Sequence, residues 1–304
     1  MKQYFTIFVS LLLAITLSAQ SRSALPWMRT GRGAADMAMA GSAFMSDNNM
    51  AWASYGNAAM IPFSSENMSV EAGYMLYNPA KTNYVNAGFA YNIKSRFGVT
   101  AGISYGFDPS FDMYNESGKV TGSFSPGKLM AGAGVSWRFV DFMSAGVNLR
   151  YAMQTLMKGQ SSSVFAADIV LMGRFGDFSV SAGAMNLGTP VTASDGKKYP
   201  IASSAKLSAM YDTVFAAQHG LQINIDADYY FSNSFTAAAG AQYGWNDMVF
   251  VRAGYRYSAK TCIIPSFASV GIGAKFKGIR LDFAYLMAND ALKNTINVGL
   301  GYSF

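Results

Sequence analysis

The chain has 304 residues, 51% of them hydrophobic and only 13% charged, with 30 Gly, 18 Tyr and 22 Phe. Ordinary soluble domains have about 25% charged residues, so this chain is short of groups that face water. Its net charge of +6 comes without any run of Lys or Arg, which excludes a basic nucleic-acid tract; a single cysteine, Cys262, excludes an internal disulfide and a cysteine metal site.

The first element is an apolar run. Lys2 precedes "IFVSLLLAITLSAQ", a short hydrophobic stretch ending in small residues, which predicts a secretory signal over 1–19, cut after Ala19. No later stretch approaches the ~18 consecutive apolar residues of a transmembrane helix. Residues 20–65 show neither helical nor strand alternation. They hold "GRGAADMAMAGSAF" at Gly31–Phe44, with Gly33 and Asp36 inside it, then "DNN" beginning at Asp47, then "YGNAA" from Tyr55 through Asn57 to Ala59.

From about residue 66 the chain alternates to its end. In Leu129–Phe139, Leu129, Ala131, Ala133, Val135, Trp137 and Phe139 oppose Met130, Gly132, Gly134, Ser136 and Arg138. Successive strand residues point to opposite faces, so one face is apolar and the other small or polar. The same pattern predicts fourteen strands, over 67–77, 83–93, 97–107, 128–139, 142–153, 162–175, 178–186, 202–214, 220–231, 234–244, 248–258, 266–276, 279–288 and 294–304. Most have the 9–11 residues or slightly more that a tilted membrane strand needs. Every second link is tight, and the links between include long ones at 108–127, 154–161, 187–201 and 259–265, the asymmetry of an outer-membrane barrel.

Charges and rings sort accordingly. Glu71, Arg138, Arg150, Asp168, Arg174, Lys206, Asp226, Asp228, Arg252, Arg256, Lys275, Arg280 and Asp282 all fall on the small/polar side. A charge facing lipid at mid-membrane costs roughly 2–4 kcal/mol, whereas a lumenal one is tolerated. Fourteen aromatics, Trp137, Tyr243 and Tyr302 among them, fall on the apolar side, mostly near strand ends, as girdles do. The expected fold is all-β: an outer-membrane β-barrel of fourteen antiparallel strands over 66–304, embedded in the lipid bilayer of a bacterial outer membrane. The last strand closes on the first, and Tyr302 and Phe304 stand where a terminal recognition signal for barrel insertion would be.

The N-terminal motif resembles that of the FadL superfamily, and of its PorV/PorQ branch in particular, which opens with a Gly/Ala-rich stretch, an Asp-rich step and an aromatic before Asn-Pro-Ala. Ala58 stands here where the family has Pro, and Asn48 and Asn49 stand near its acids. The resemblance implies that 20–65 fold into the barrel as a plug, with Gly31, Gly33, Asp36, Asp47, Tyr55 and Asn57 as its motif positions. Lumenal glycines such as Gly98, Gly146 and Gly271 would leave room for it.

Catalytic motifs are lacking. The one histidine, His219, falls in a predicted turn; there is no Gly-x-Ser-x-Gly elbow, "GRGAAD" lacks a third glycine, and "PGKL" is not a P-loop. Asp226 and Asp228 share the lumenal face with Glu71, Asp282, Lys206 and Arg252, which reads as a compensating charge network rather than an acid/base pair. No cofactor is expected and the protein is read as no enzyme. PorV/PorQ-like barrels serve type IX secretion, so the resemblance implies a partner barrel contacting other outer-membrane or secreted proteins through 108–127 and 187–201. FadL-like transport of a hydrophobic small molecule is the alternative. Eight basic against five acidic lumenal wall charges would suit an anionic ligand or anionic plug groups.

Overall fold

The computed structural model describes residues 23–78, 81–157, 159–192, 196–262, 264–288 and 294–304; the predicted signal over 1–19 lies outside them. The strands of the wall are β1 (Met68–Tyr77), β2 (Thr82–Ile93), β3 (Phe97–Phe107), β4 (Gly127–Val140), β5 (Met143–Met157), β6 (Gln160–Phe175) and β7 (Phe178–Gly188). They continue as β8 (Ser204–Phe215), β9 (His219–Tyr230), β10 (Ser234–Trp245), β11 (Val249–Ser258), β12 (Phe267–Phe276), β13 (Ile279–Ala288) and β14 (Thr295–Ser303). Each pairs antiparallel with its sequence neighbours, and β14 returns to β1 in the register Ser69↔Ser303 to Leu76↔Ile296, closing a fourteen-stranded barrel.

The alternation places every strand within two residues of expectation except at the end of β5, which runs on to Met157. There Gln154, Thr155 and Met157 pair with Ser162, Ser161 and Gln160. Thr155 stands at the apolar parity and Leu156 at the polar one, with serines opposite, so pairing continues where the apolar alternation has stopped. The 108–127 link holds a hairpin of its own, Phe111–Tyr114 against Val120–Phe124. Its strands, of four and five residues, are too short to carry an alternation signal.

Large apolar residues point outward along the whole circumference, with Phe165 71% and Ile272 62% exposed. A water-facing sheet could not leave such a band bare, and lipid covers it at no cost. Glu71, Arg150, Asp168, Arg252, Arg280 and Asp282 are buried on the inner face. This is the form of an outer-membrane barrel, with short turns at one end and the longer links at the other, where the links after β1 and β9 are also short.

Residues 23–65 fill the lumen. They form a short helix α1 (Ala34–Ala38) and three 3-10 segments, Pro26–Arg29, Asp47–Tyr55 and Ala58–Phe63. Such irregular backbone leaves peptide groups without partners, which burial forbids, and wall side chains supply them. Asn148 Nδ2 donates to the Ala53 and Gly56 carbonyls at 2.9 Å each. Arg256 donates to Ala40 and Gly41 at 2.9 and 3.0 Å, and Arg174 to Phe63 at 2.6 Å. Ser269 Oγ donates to Ala38 and accepts from the Ala40 N–H, both at 2.9 Å. Apolar plug residues Phe44, Met45, Met60 and Ile61 pack on Val170, Met172 and Met210 of the wall. Gly146 shows how close the two approach, since a Cβ there would lie 2.4 Å from the Ala59 nitrogen.

Candidate functional site

At the long-loop end a cavity of about 380 Å³ lies between wall and plug. Its apolar lining comes from both: Trp27 and Met28 of the first 3-10 turn, Met75 of β1, Tyr84 of β2, Met185 of β7 and Phe267 of β12. Pro26 opens that 3-10 turn, where its fixed φ and missing N–H suit a first helical position. The preceding chain is stitched to the wall loop, with the Ala24 N–H donating to the Pro200 carbonyl at 2.8 Å. Trp27 Nε1 donates to Gln154 Oε1 at 3.0 Å. Phe44 and Asn49 face this cavity, whereas Ser46, Asp47 and Asn48 face a second, polar one of about 530 Å³ at the short-turn end. The stretch Phe44–Asn49 is thus the partition between the two.

Two arginines of the plug border the outer cavity. The Arg29 guanidinium lies 3.6 Å over the Tyr230 ring. Arg32 is 2% exposed, donates to the Thr30 and Trp27 carbonyls at 2.7 and 3.2 Å, and stands 5.4 and 5.9 Å from the rings of Tyr84 and Tyr55. Burial pushes both guanidinium pKa values down. Neither arginine was legible from strand parity, because the plug has no period. The signal available was two arginines flanking Thr-Gly beside Trp27 in an otherwise uncharged stretch.

The predicted charge network divides into two. Lys206 Nζ lies 2.7 Å from Asp226 and 3.1 Å from Asp228, with Arg256 3.7 Å from Asp228; Lys206, Asp228 and Arg256 line the outer cavity. Arg252 does not join them. It reaches Asp282 at 2.6 Å, and Arg280 bridges Asp282 at 2.8 Å and Glu71 at 2.5 Å. Register is the reason: Asp226 is level with Ala238 and then Arg256 across β10 and β11, so Arg252 sits four residues lower. The Arg252–Asp282 pair spans β12 over Gly273, where a Cβ would lie 2.4 Å from Asp282 Oδ1; glycine is what lets the two side chains meet.

The motif positions of the plug hold its turns and anchor it. Gly31 lines the cavity, and a side chain there would meet Met37 Sδ at 2.4 Å. Gly33 caps α1 and lies under Trp52. Asp36 Oδ1 accepts the Ala43 N–H at 2.9 Å, closing the turn after α1, and burial pushes its carboxyl pKa up. Asp47 Oδ2 accepts from the Ser65 N–H and hydroxyl at 3.2 Å each. Tyr55 packs against Trp52, with centroids 6.3 Å apart, and Asn57 is buried with Nδ2 3.7 Å from Met172 Sδ. Tyr302 and Phe304 point outward with their rings tilted against each other, 5.9 Å between centroids, while the Phe304 backbone pairs with Met68 at 3.0 and 3.1 Å.

Part of the wall's basic excess is met from outside the strands, Lys275 by Glu66 just before β1 at 2.7 Å and Arg174 by Asp47 of the plug at 3.8 Å. His219 is at the opposite end from the outer cavity, its Nδ1 2.6 Å from the Tyr243 hydroxyl. Among the described residues no three His, Cys, Asp or Glu converge to hold a metal ion.

One wall irregularity borders the cavity. Between Ala167↔Leu187 and Ile169↔Ala184 the register of β6 and β7 shifts, and Met185 and Asn186 together face Asp168. Asn186 has φ +53°. Its N–H donates to Asp168 Oδ1 at 2.7 Å, and Arg150 holds both Asp168 and, at 2.9 Å, Asn186 Oδ1. A bulge leaves an N–H without a ladder partner; here a buried carboxylate takes it.

No protein-family model matches the chain, and no curated protein matches it in sequence. Solved structures do match. The Pseudomonas putida toluene transporter TodX aligns at TM-score 0.59 and 14% identity, over 90% of this chain and 98% of that one. The Ralstonia pickettii toluene transporter TbuX gives 0.58 and 13% over the same shares, and the monoaromatic hydrocarbon channel CymD 0.58 and 12%. At such identities the likeness is one of fold. The neighbours are transporters and channels, and what the chain shares with them is the barrel fold.

Proposed function

We propose that this barrel takes up small hydrophobic molecules across the outer membrane, receiving them in the outer cavity. The observation that carries the reading is that cavity: about 380 Å³, at the long-loop end, and lined by Trp27, Met28, Met75, Tyr84, Met185 and Phe267. Concave sites with mostly apolar walls and a few placed polar groups are where small molecules bind, and methionine adapts to ligands of varied shape. The fold shared with toluene transporters supports it. Expressed in a Gram-negative host, the barrel should raise the uptake rate of a labelled monoaromatic, and Met75→Trp, which fills the cavity, should remove most of that gain. Equal uptake with and without the barrel sinks the reading.

The PorV/PorQ-like partner role is the second reading, and one observation favours it. The hairpin Phe111–Tyr114/Val120–Phe124 stands in the open with Phe111, Tyr114 and Val120 exposed, a surface a protein partner would cover. The fold neighbours support the uptake reading better, and the motif itself departs from that branch at Ala58. Stoichiometric co-purification of an outer-membrane or secreted protein, lost when the hairpin is cut back to a short turn, would restore the partner reading to first place.

A further inference from the structure

Cations around the outer cavity outnumber the acids that answer them. Lys128 is paired with Asp108 at 2.7 Å, Arg150 with Asp168, and Lys206 and Arg256 with Asp226 and Asp228. Arg29 and Arg32 have no carboxylate partner among the described residues. Asp36 is the one lining acid without an ion pair, and its Oδ1 is occupied by the Ala43 N–H. The unpaired charges are therefore two guanidinium groups against one carboxylate.

Arg32 carries the argument furthest. It is 2% exposed, lines the cavity, and its Nε has no partner. Two backbone carbonyls take one donor from each terminal nitrogen, out of five that a guanidinium offers. A buried charge without a counter-charge is costly to hold, and a planar carboxylate matches the guanidinium fork. Around it stand rings, Tyr84 and Tyr55, with Trp27 bonded through its own carbonyl. The volume lies at the low end of the roughly 300–1,000 Å³ of ligand pockets, so the occupant is compact.

We propose that the outer cavity takes a compact aromatic carboxylate, its anionic end on Arg32 and its ring among Trp27, Tyr84 and Met75, with the more exposed Arg29 drawing it in. This rests on the uptake reading and narrows its ligand class. The test is a titration of the full barrel with phenylpropionate, phenylpropionamide and propylbenzene, read by the saturable change in the fluorescence of Trp27 and Trp52, which both line the cavity. The acid should bind about tenfold or more tighter than the amide, as expected for charge-assisted bonds to a buried guanidinium. Arg32→Gln should bring the acid's affinity down to the amide's, abolishing the acid-over-amide ratio; Arg29→Gln should lower that ratio less. The wild-type comparison of acid with amide needs no variant to fold. An acid that binds no better than its amide overturns the proposal. If propylbenzene binds and the acid does not, the anion inference falls and the uptake reading stands. If none of the three binds, both fall.

Discussion

Glu71, Arg280, Asp282 and Arg252 form a buried chain of ion pairs on the inner wall. Removing one member should cost more than the pair contributes, because the charge left behind stays buried. Arg280→Met is expected to destabilise the barrel by about 3–5 kcal/mol in urea unfolding, and Glu71→Leu added to it to recover much of that loss. Asp36 gives a pH signature. Burial raises its folded pKa above the unfolded value, with Arg256 and Lys206 partly offsetting this, so the folded chain binds the extra proton. Its contribution to stability is then fullest below the unfolded pKa, near 3.9, and is lost as pH rises through the folded one. Asp36→Asn keeps an acceptor for the Ala43 N–H. Unfolding midpoints of the two proteins should draw apart in favour of Asp36→Asn as pH rises from about 4 to neutral; parallel curves would contradict the assignment. Parity along a strand told which charges face inward. It could not tell which of them meet, since Arg252 and Arg256 share a face and only the stagger between strands decides that Asp228 sees the second.

At the scale of elements, the wall was legible because one repeat of two residues governs each strand from Met68 to Ser303. The plug was not, beyond its position and its motif. Its residues obey no period; their placement depends on wall groups such as Asn148, Ser269 and Arg256 reaching in to pair its backbone. Glycine supplied the one sequence hint. Gly146→Val would drive a side chain into the Ala59 backbone, a contact that backbone cannot relieve cheaply. The barrel should still form while Ala58–Phe63 is displaced, seen as raised ion conductance in planar bilayers against a closed wild type. Wild-type conductance in a folded Gly146→Val barrel would show that the plug yields without moving. The bulge of β7 was likewise hidden, since "DIVLM" reads as uninterrupted strand and Asn186 stands at the end of the next predicted strand, 178–186. What reveals it is the pairing of Asp168 with Asn186, across 18 residues.

As a whole, the molecule is a lipid-facing wall around a lumen divided by Phe44–Asn49, with an apolar, arginine-bordered cavity on the loop side and a polar one on the turn side. The wall alone looked too polar to bind a hydrophobic molecule. Strand parity, applied to the wall only, leaves out the Trp27 and Met28 that the plug contributes to the cavity. The central claim is that the outer cavity is a ligand site. Trp27 and Trp52 line it, whereas Trp137 and Trp245 face lipid, so titrating the purified barrel with a brominated monoaromatic tests it most directly. Saturable quenching that is weakened in Trp27→Phe, with Trp52 as the remaining cavity tryptophan, and is competed by the unbrominated compound is the result predicted here. Linear quenching, unchanged in Trp27→Phe, would mean that the compound only partitions around the wall and that the cavity binds nothing.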